Sequence, residues 1–183
     1  MDFWEIYDEH YLRVKRVIAG LVRDEWVADD LTQETFTRVQ DRLNELRDSS
    51  KLSSWIFRIA YNLCQDHFRE MGRSPLNNGS DDEMELVGQM SAQEEFEQRQ
   101  MGECVQQEID SLPGSLRTVV FLSDVMEFSH REIAEILGIT IENVKVRLHR
   151  ARKKLKELLE KKCTFEINER NVLVCEPKNK ICS

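Results

Sequence analysis

The chain has 183 residues, of which 40% are hydrophobic and 33% charged, and its formal net charge is −8. That length permits one domain or two small ones, and the negative balance argues against a protein that coats nucleic acid indiscriminately. No apolar run approaches the roughly 18 residues of a membrane span. The opening MDFWEIYDEH is not a basic-then-apolar leader, and five cysteines without a C-x-x-C do not make a secreted disulfide framework. Membrane insertion is therefore not expected, and the expected compartment is the cytoplasm. Only seven Gly and three Pro interrupt long helical periodicities, which favours an all-α fold.

In chain order, residues 3–22 carry Phe3, Ile6, Tyr7, Tyr11, Val14, Val17, Ile18 and Leu21 on one helical face. Residues 25–46 follow, turning Val27, Leu31, Phe36, Val39, Leu43 and Leu46 inward and Asp29, Asp30, Gln33 and Glu34 outward. A third helix is predicted over 51–70. Its polar positions Arg58, Asn62, Asp66 and Arg69 step by four, four and three, with Trp55, Phe57 and Tyr61 beside them. From Gly72 the pattern breaks into an acidic stretch with Pro75, Gly79 and Gly88, the composition of a flexible linker. Helical character resumes over 92–111, Leu112-Pro113 marks a turn, and 115–126 reads as a support helix.

The stretch from Ser129 to Lys156 carries the most information. Ser129 with Glu132 is a capping box, Gly138 a helix stop, and Thr140 a cap for a second helix. Ile141, Val144, Leu148, Ala151 and Leu155 give that helix an apolar face, leaving Glu142, Lys145, Val146, His149 and Lys153 outward, with Arg147, Arg150 and Arg152 on the flanks. Residues 139–162 hold nine basic groups against three acidic, the one strongly basic segment of an acidic chain. A short capped helix buttressing a basic one is the geometry that sets side chains in a DNA major groove.

Taken together, these motifs resemble the sigma-70 family of RNA polymerase sigma factors, specifically the extracytoplasmic-function group that keeps regions 2 and 4. The resemblance rests on Asp30-Leu31-Thr32-Gln33-Glu34-Thr35-Phe36, Trp55-Ile56, Ile59-Ala60, Asn62, Asp66 and Arg69 in region 2. In region 4 it rests on Leu112-Pro113, Arg117, Glu132-Ile133-Ala134, Leu137-Gly138, Val144-Lys145, Arg147-Leu148 and Arg150-Ala151-Arg152. It implies two small helical domains. Residues 1–71 would be region 2, a bundle of three or four helices, and 95–162 region 4, with the helix-turn-helix. Residues 72–94 would be the acidic linker and 163–183 a short C-terminal tail. The implied function is binding of core polymerase, promoter recognition, DNA melting and transcription initiation, with no catalysis of its own.

The resemblance also implies roles for residues. Asp29, Asp30, Gln33, Glu34 and Phe36 would dock on the clamp coiled coil of the polymerase's largest subunit, where acidic groups suit a basic partner. Trp55, Arg58, Tyr61, Asn62, Asp66 and Arg69 would hold the opened −10 strand, with the loop at 45–54 near it; unstacked bases need aromatic platforms and hydrogen-bonding edges. Ordinary core packing is the competing reading of Trp55. Lys145, Val146, His149 and Arg150 would face the −35 element in the major groove, while Arg147, Arg152 and Lys153 would hold phosphates. Family members often carry a small polar residue where Val146 stands; valine offers only contact with a thymine methyl. The flap of core polymerase and an anti-sigma factor are further implied partners.

The tail departs from the family core. Thr164–Asn168 and Val172–Cys175 are β-prone runs around Glu169-Arg170-Asn171, a candidate hairpin. Cys163, Cys175 and Cys182 are a candidate zinc site, although their spacing lacks the usual close pair, or a reversible redox pair or inert thiols, and no other cofactor is implied. Cys64 and Cys104 read as core thiols. Two rival functions stand beside the sigma reading. A stand-alone operator-binding helix-turn-helix regulator would leave residues 1–71 unexplained, and an adaptor sensing metal or redox state would make the tail its main site.

Overall fold

The computed structural model describes residues 2–72, 105–167 and 173–177. Helix α1 (Phe3–Val22) ends where Arg23 turns into the left-handed region at φ 56°. Asp24 then caps α2 (Glu25–Arg42), its carboxylate accepting from the Val27 amide at 3.0 Å. The helix predicted to reach Leu46 tightens into a 3₁₀ turn at Leu43–Glu45. After a second short turn at Ser49–Lys51 comes α3 (Leu52–Glu70). Ile6, Val14, Val17 and Ile18 of α1 are packed with Ala28, Phe36 and Val39 of α2 and Ile56, Phe57 and Ala60 of α3, all essentially fully buried. Burial of this kind contributes about 1.5–3 kcal/mol per large side chain.

In the second described stretch, α4 covers residues 105–110 and α5 Gly114–Val120. The predicted support helix then widens into one π-type turn at Phe121–Val125, closed by the Met126 amide donating to the Phe121 carbonyl at 3.0 Å. Helices α6 (His130–Leu137) and α7 (Ile141–Lys162) follow. The tail forms an antiparallel ribbon, β1 (Cys163–Ile167) with β2 (Leu173–Pro177), a hairpin close to the one expected.

The two helical groups are docked on one another, which no periodicity announced. Phe57 of α3 meets Phe128 edge-on with ring centroids 4.7 Å apart. The Arg13 guanidinium lies 4.2 Å above Phe128 and donates to the Met126 carbonyl at 3.1 Å. Ser54 Oγ donates to the Glu135 carboxylate at 2.5 Å, and Arg23 is ion-paired with Asp110. Gly20 of α1 lies directly against the Phe121 ring. Buried side chains of both groups thus form one continuous core.

Candidate nucleic-acid and polymerase interfaces

The basic helix is positioned by its caps. Ser129 Oγ accepts from the Glu132 amide at 3.3 Å while the Glu132 carboxylate accepts from the Ser129 amide at 2.8 Å, closing the expected capping box. Gly138 takes φ 66°, and Thr140 Oγ1 accepts from the Asn143 amide at 3.2 Å. Val144, Leu148 and Ala151 are buried against the rest of the fold. Lys145, Val146, His149, Arg150 and Lys153 are exposed as expected, Val146 at 47%. A cationic concavity of about 420 Å³ opens there, lined by His130, Lys145, Leu148, His149, Arg152, Lys153 and Lys156.

Two of these lining residues, His130 and Lys156, escaped the sequence reading. Both carried a usable signal: His130 directly follows the Ser129 cap, and Lys156 stands one turn beyond Arg152. Arg152 differs from expectation in its state. It forks onto Asp124, at 2.6 and 3.2 Å, so its charge is offset within the chain rather than held open for phosphate. Burial works to raise the Asp124 carboxyl, but hydrogen bonds with Arg152 and Ser123 outweigh it and hold the group below its ordinary range. Arg147 is half-buried and turned toward Tyr61 of α3, where its charge opposes the rise that burial gives the Tyr61 phenol.

On α3, Arg58 and Asn62 are exposed, and Asp66 and Arg69 are tied to each other at 2.8 Å. Trp55 and Tyr61 are half-buried and packed against the core, which favours a structural share for both. One end of this stripe lies under the turn between α6 and α7: Arg58 Nη2 is 3.6 Å from where a Cβ on Gly138 would stand. In the 45–54 loop, Asp48 accepts from the Ser50 amide at 3.0 Å and Lys51 is exposed.

The acidic face of α2 presents Asp30 and Gln33 to solvent. Asp29 pairs with Lys15 of α1 at 2.5 Å, and Glu34 with Arg38 at 2.9 Å. Phe36 is a correction. It is 2% exposed, its ring 4.8 Å from that of Tyr7, because its position on α2 points at α1 rather than outward. It shapes the surface from below. Trp26, which the sequence reading did not single out, is 85% exposed on the same helix.

Comparison with known proteins places these surfaces. The family model for sigma-70 region 2 matches residues 6–74, and that for sigma-70, region 4 matches residues 102–155. The chain is 33% identical over 166 residues to RNA polymerase sigma factor SigZ of Bacillus subtilis (strain 168), covering 91% of this chain and 92% of that one. The chain belongs to the sigma-70 family. Within that family it is similar to extracytoplasmic-function (ECF) members such as ECF RNA polymerase sigma factor SigM of Bacillus subtilis (strain 168), 30% identical with 86% and 95% covered, and it falls in the ECF group. In this sigma factor, α1–α3 fall in the region 2 match and α4–α6, with most of α7, in the region 4 match. The same fold occurs in the sigma factor RpoE of Bartonella quintana, solved with the anti-sigma factor NepR, at a TM-score of 0.63 and 22% identity over 87% of this chain and 97% of that one.

The tail cysteines fall on different footings. Cys163 is buried, and the ribbon register pairs it with Pro177 while Cys175 pairs with Phe165, so the two positions are not directly opposite each other. Cys182 and Cys104 lie outside the described residues. Among the described residues no group of three His, Cys, Asp or Glu side chains is placed to hold a metal ion, and no helix is long and apolar enough to cross a membrane. Cys64 is buried, and desolvation pushes its thiol up to about 12.

Proposed function

We propose that this ECF sigma factor binds core RNA polymerase through the α2 face, holds −35 duplex in the α7 concavity and traps the opened −10 strand along α3. The observation that carries the reading is the pairing of two chemically distinct surfaces on one chain. One is a cationic concavity beside a capped helix-turn-helix; the other is a polar and aromatic stripe of Arg58, Asn62 and Tyr61 on region 2. Lys145, Val146, His149 and Arg150 face bases or adjacent phosphates, and Lys153, His130 and Lys156 supply further positive charge. Asn62, open to solvent, has both a donor and an acceptor with which to read a flipped base.

Melting is driven by binding energy, so the reading assigns no cofactor to this chain, and the polymerase supplies the catalysis. The site of action is the cytoplasm, wherever core polymerase works, and the flap is a second contact. An anti-sigma factor that masks one or both regions is its regulator. The test is transcription by purified core polymerase on pooled promoter fragments, with and without this protein. Discrete new transcripts that vanish on Asn62→Ala or Lys145→Ala establish the reading. DNA binding without core, and no new transcripts with it, would replace it with an operator-binding regulator.

A further inference from the structure

Three large apolar side chains stand in solvent on α1 and α2, Trp4 at 65%, Leu12 at 70% and Trp26 at 85% exposure, and the last two flank a single ion pair. Neither contributes to the core, and Trp26 is the most exposed large hydrophobic among the described residues. Their placement is ordered. Trp26, Asp30, Gln33 and Thr37 recur at i, i+4, i+7 and i+11, one face of α2 at about 100° per residue, and the last three are exposed. The Lys15–Asp29 ion pair ties α1 to α2 at this face. Leu12 precedes Lys15 by three residues and Trp26 precedes Asp29 by three. Because the two helices run antiparallel, Leu12 and Trp26 bracket the ion pair, roughly 9 Å apart along the helix axes at 1.5 Å per residue.

From this we infer that Leu12 and Trp26 are the apolar anchors of the surface that docks on core polymerase, a deeper statement of the α2 reading above and dependent on it. Stable interfaces concentrate their energy in a few large side chains that fill pockets, tryptophan foremost, with polar groups around them setting register. Here the surrounding groups are mostly acidic: Glu25, Asp29, Asp30 and Glu34 lie within ten residues, Lys15 and Arg38 are each matched to an acid, and Arg16, one turn after Leu12, is an exposed cation beside them. The complementary surface therefore carries arginine or lysine together with an apolar pocket that admits an indole. A cation from the partner can also lie over the Trp26 ring. The acidic groups steer and orient, and Trp26 supplies the persistence.

The experiment measures binding of purified core polymerase by anisotropy of the full chain, labelled at its N-terminal amine, for wild type, Trp26→Ala, Trp26→Phe, Leu12→Ala and Asp30→Ala. Thermal unfolding and binding of −35 duplex by the free chain serve as controls that these surface changes leave unmoved. The expected result is at least tenfold weaker core binding for Trp26→Ala, a threefold or greater loss for Leu12→Ala, and near-complete rescue by Trp26→Phe. Loss on Asp30→Ala with Trp26→Ala and Leu12→Ala within twofold of wild type would overturn the anchors and leave the acidic face standing. No loss in any variant would overturn both. Trp26-dependent dimerisation with unchanged core affinity would assign the surface to a second copy of this chain and overturn the inference.

Discussion

Gly20→Ala tests the docking of the two regions most directly. A Cβ built on Gly20 would stand 2.2 Å from Cζ and 2.6 Å from Cε2 of Phe121, so the ring has to retreat by more than about 1 Å to regain ordinary carbon–carbon contact. Phe121 is only 7% exposed and its backbone is fixed in the π-type turn, which leaves little room for that retreat. Within α1 itself the change is favourable, since Ala exceeds Gly in a helix interior by about 0.5–1 kcal/mol. Overpacking a filled contact costs about 1–3 kcal/mol. The helix gain applies whether or not the regions are docked, whereas the clash exists only when they are. The docked form should therefore lose about 1–3 kcal/mol against the separated one, roughly 5- to 150-fold in population. Small-angle scattering on the free chain should show a larger radius of gyration, and hydrogen exchange should show faster opening around Phe57 and Phe128. Phe121→Leu in the same background should restore part of the compactness. An unchanged radius with a raised unfolding midpoint would refute the reasoning, because Phe121 would then have stepped aside without cost.

Ser129→Ala removes one half of the capping box and should lower stability by about 1 kcal/mol, read as a shift of the urea midpoint at unchanged slope; no shift would mean that Glu132 caps alone. Asp124→Asn releases Arg152 toward the concavity. Binding of −35 duplex should tighten, and log affinity against log salt should steepen by about 0.9 for the added phosphate contact; a slope that stays the same would show Arg152 idle. The raised Cys64 thiol should resist alkylation at pH 8 in the native protein and react only on unfolding. Because the folded thiol holds its proton to about 12 while an unfolded one releases it near pH 9, stability should fall as pH rises through that window, and Cys64→Ala should abolish this component of the loss. Burial lowers the pKa of His10, so protonation favours the unfolded chain. Stability should drop as pH falls below about 6.5, and a His10→Leu variant whose pH profile between 7 and 5 matches wild type would contradict this.

The local grammar of the fold was legible because it is written in neighbouring residues. The capping box, the Gly138 stop and the Thr140 cap each depend on residues within three positions, and all three occur as read. Helix α1 matches its predicted span, and α3 differs from its own by one residue at the start. The π-type turn at Phe121–Val125 was not legible, since its apolar spacing is as compatible with an uninterrupted helix. Nor was the docking of the regions: Phe57, Phe121 and Phe128 look like ordinary core positions whether their partners lie in their own bundle or the other one. The same limit governs the candidate sites. Which residues face outward on α7 followed from the helical period, but that Arg152 is held by Asp124, 28 positions earlier, did not. Phe36 is buried as the helical period of α2 predicts, and the docking role that the resemblance implied for it conflicts with that period.

The contact between α3 and α6 has a metric consequence. Elements 10 and 35 base pairs upstream are about 25 base pairs apart, roughly 85 Å of straight duplex at 3.4 Å per pair. Yet Arg58, proposed to meet the −10 strand, sits beside the turn before α7, proposed to hold the −35 duplex. On the proposed reading, gripping both elements at once requires the contact between α3 and the α6–α7 turn to open. Apparent promoter affinity is then the intrinsic affinity scaled by the open fraction: were one molecule in a hundred open, the free chain would bind about a hundredfold more weakly than its two regions could together. The residues that hold Phe57 against Phe128 thereby set how strongly this sigma factor depends on its polymerase to hold it at full stretch.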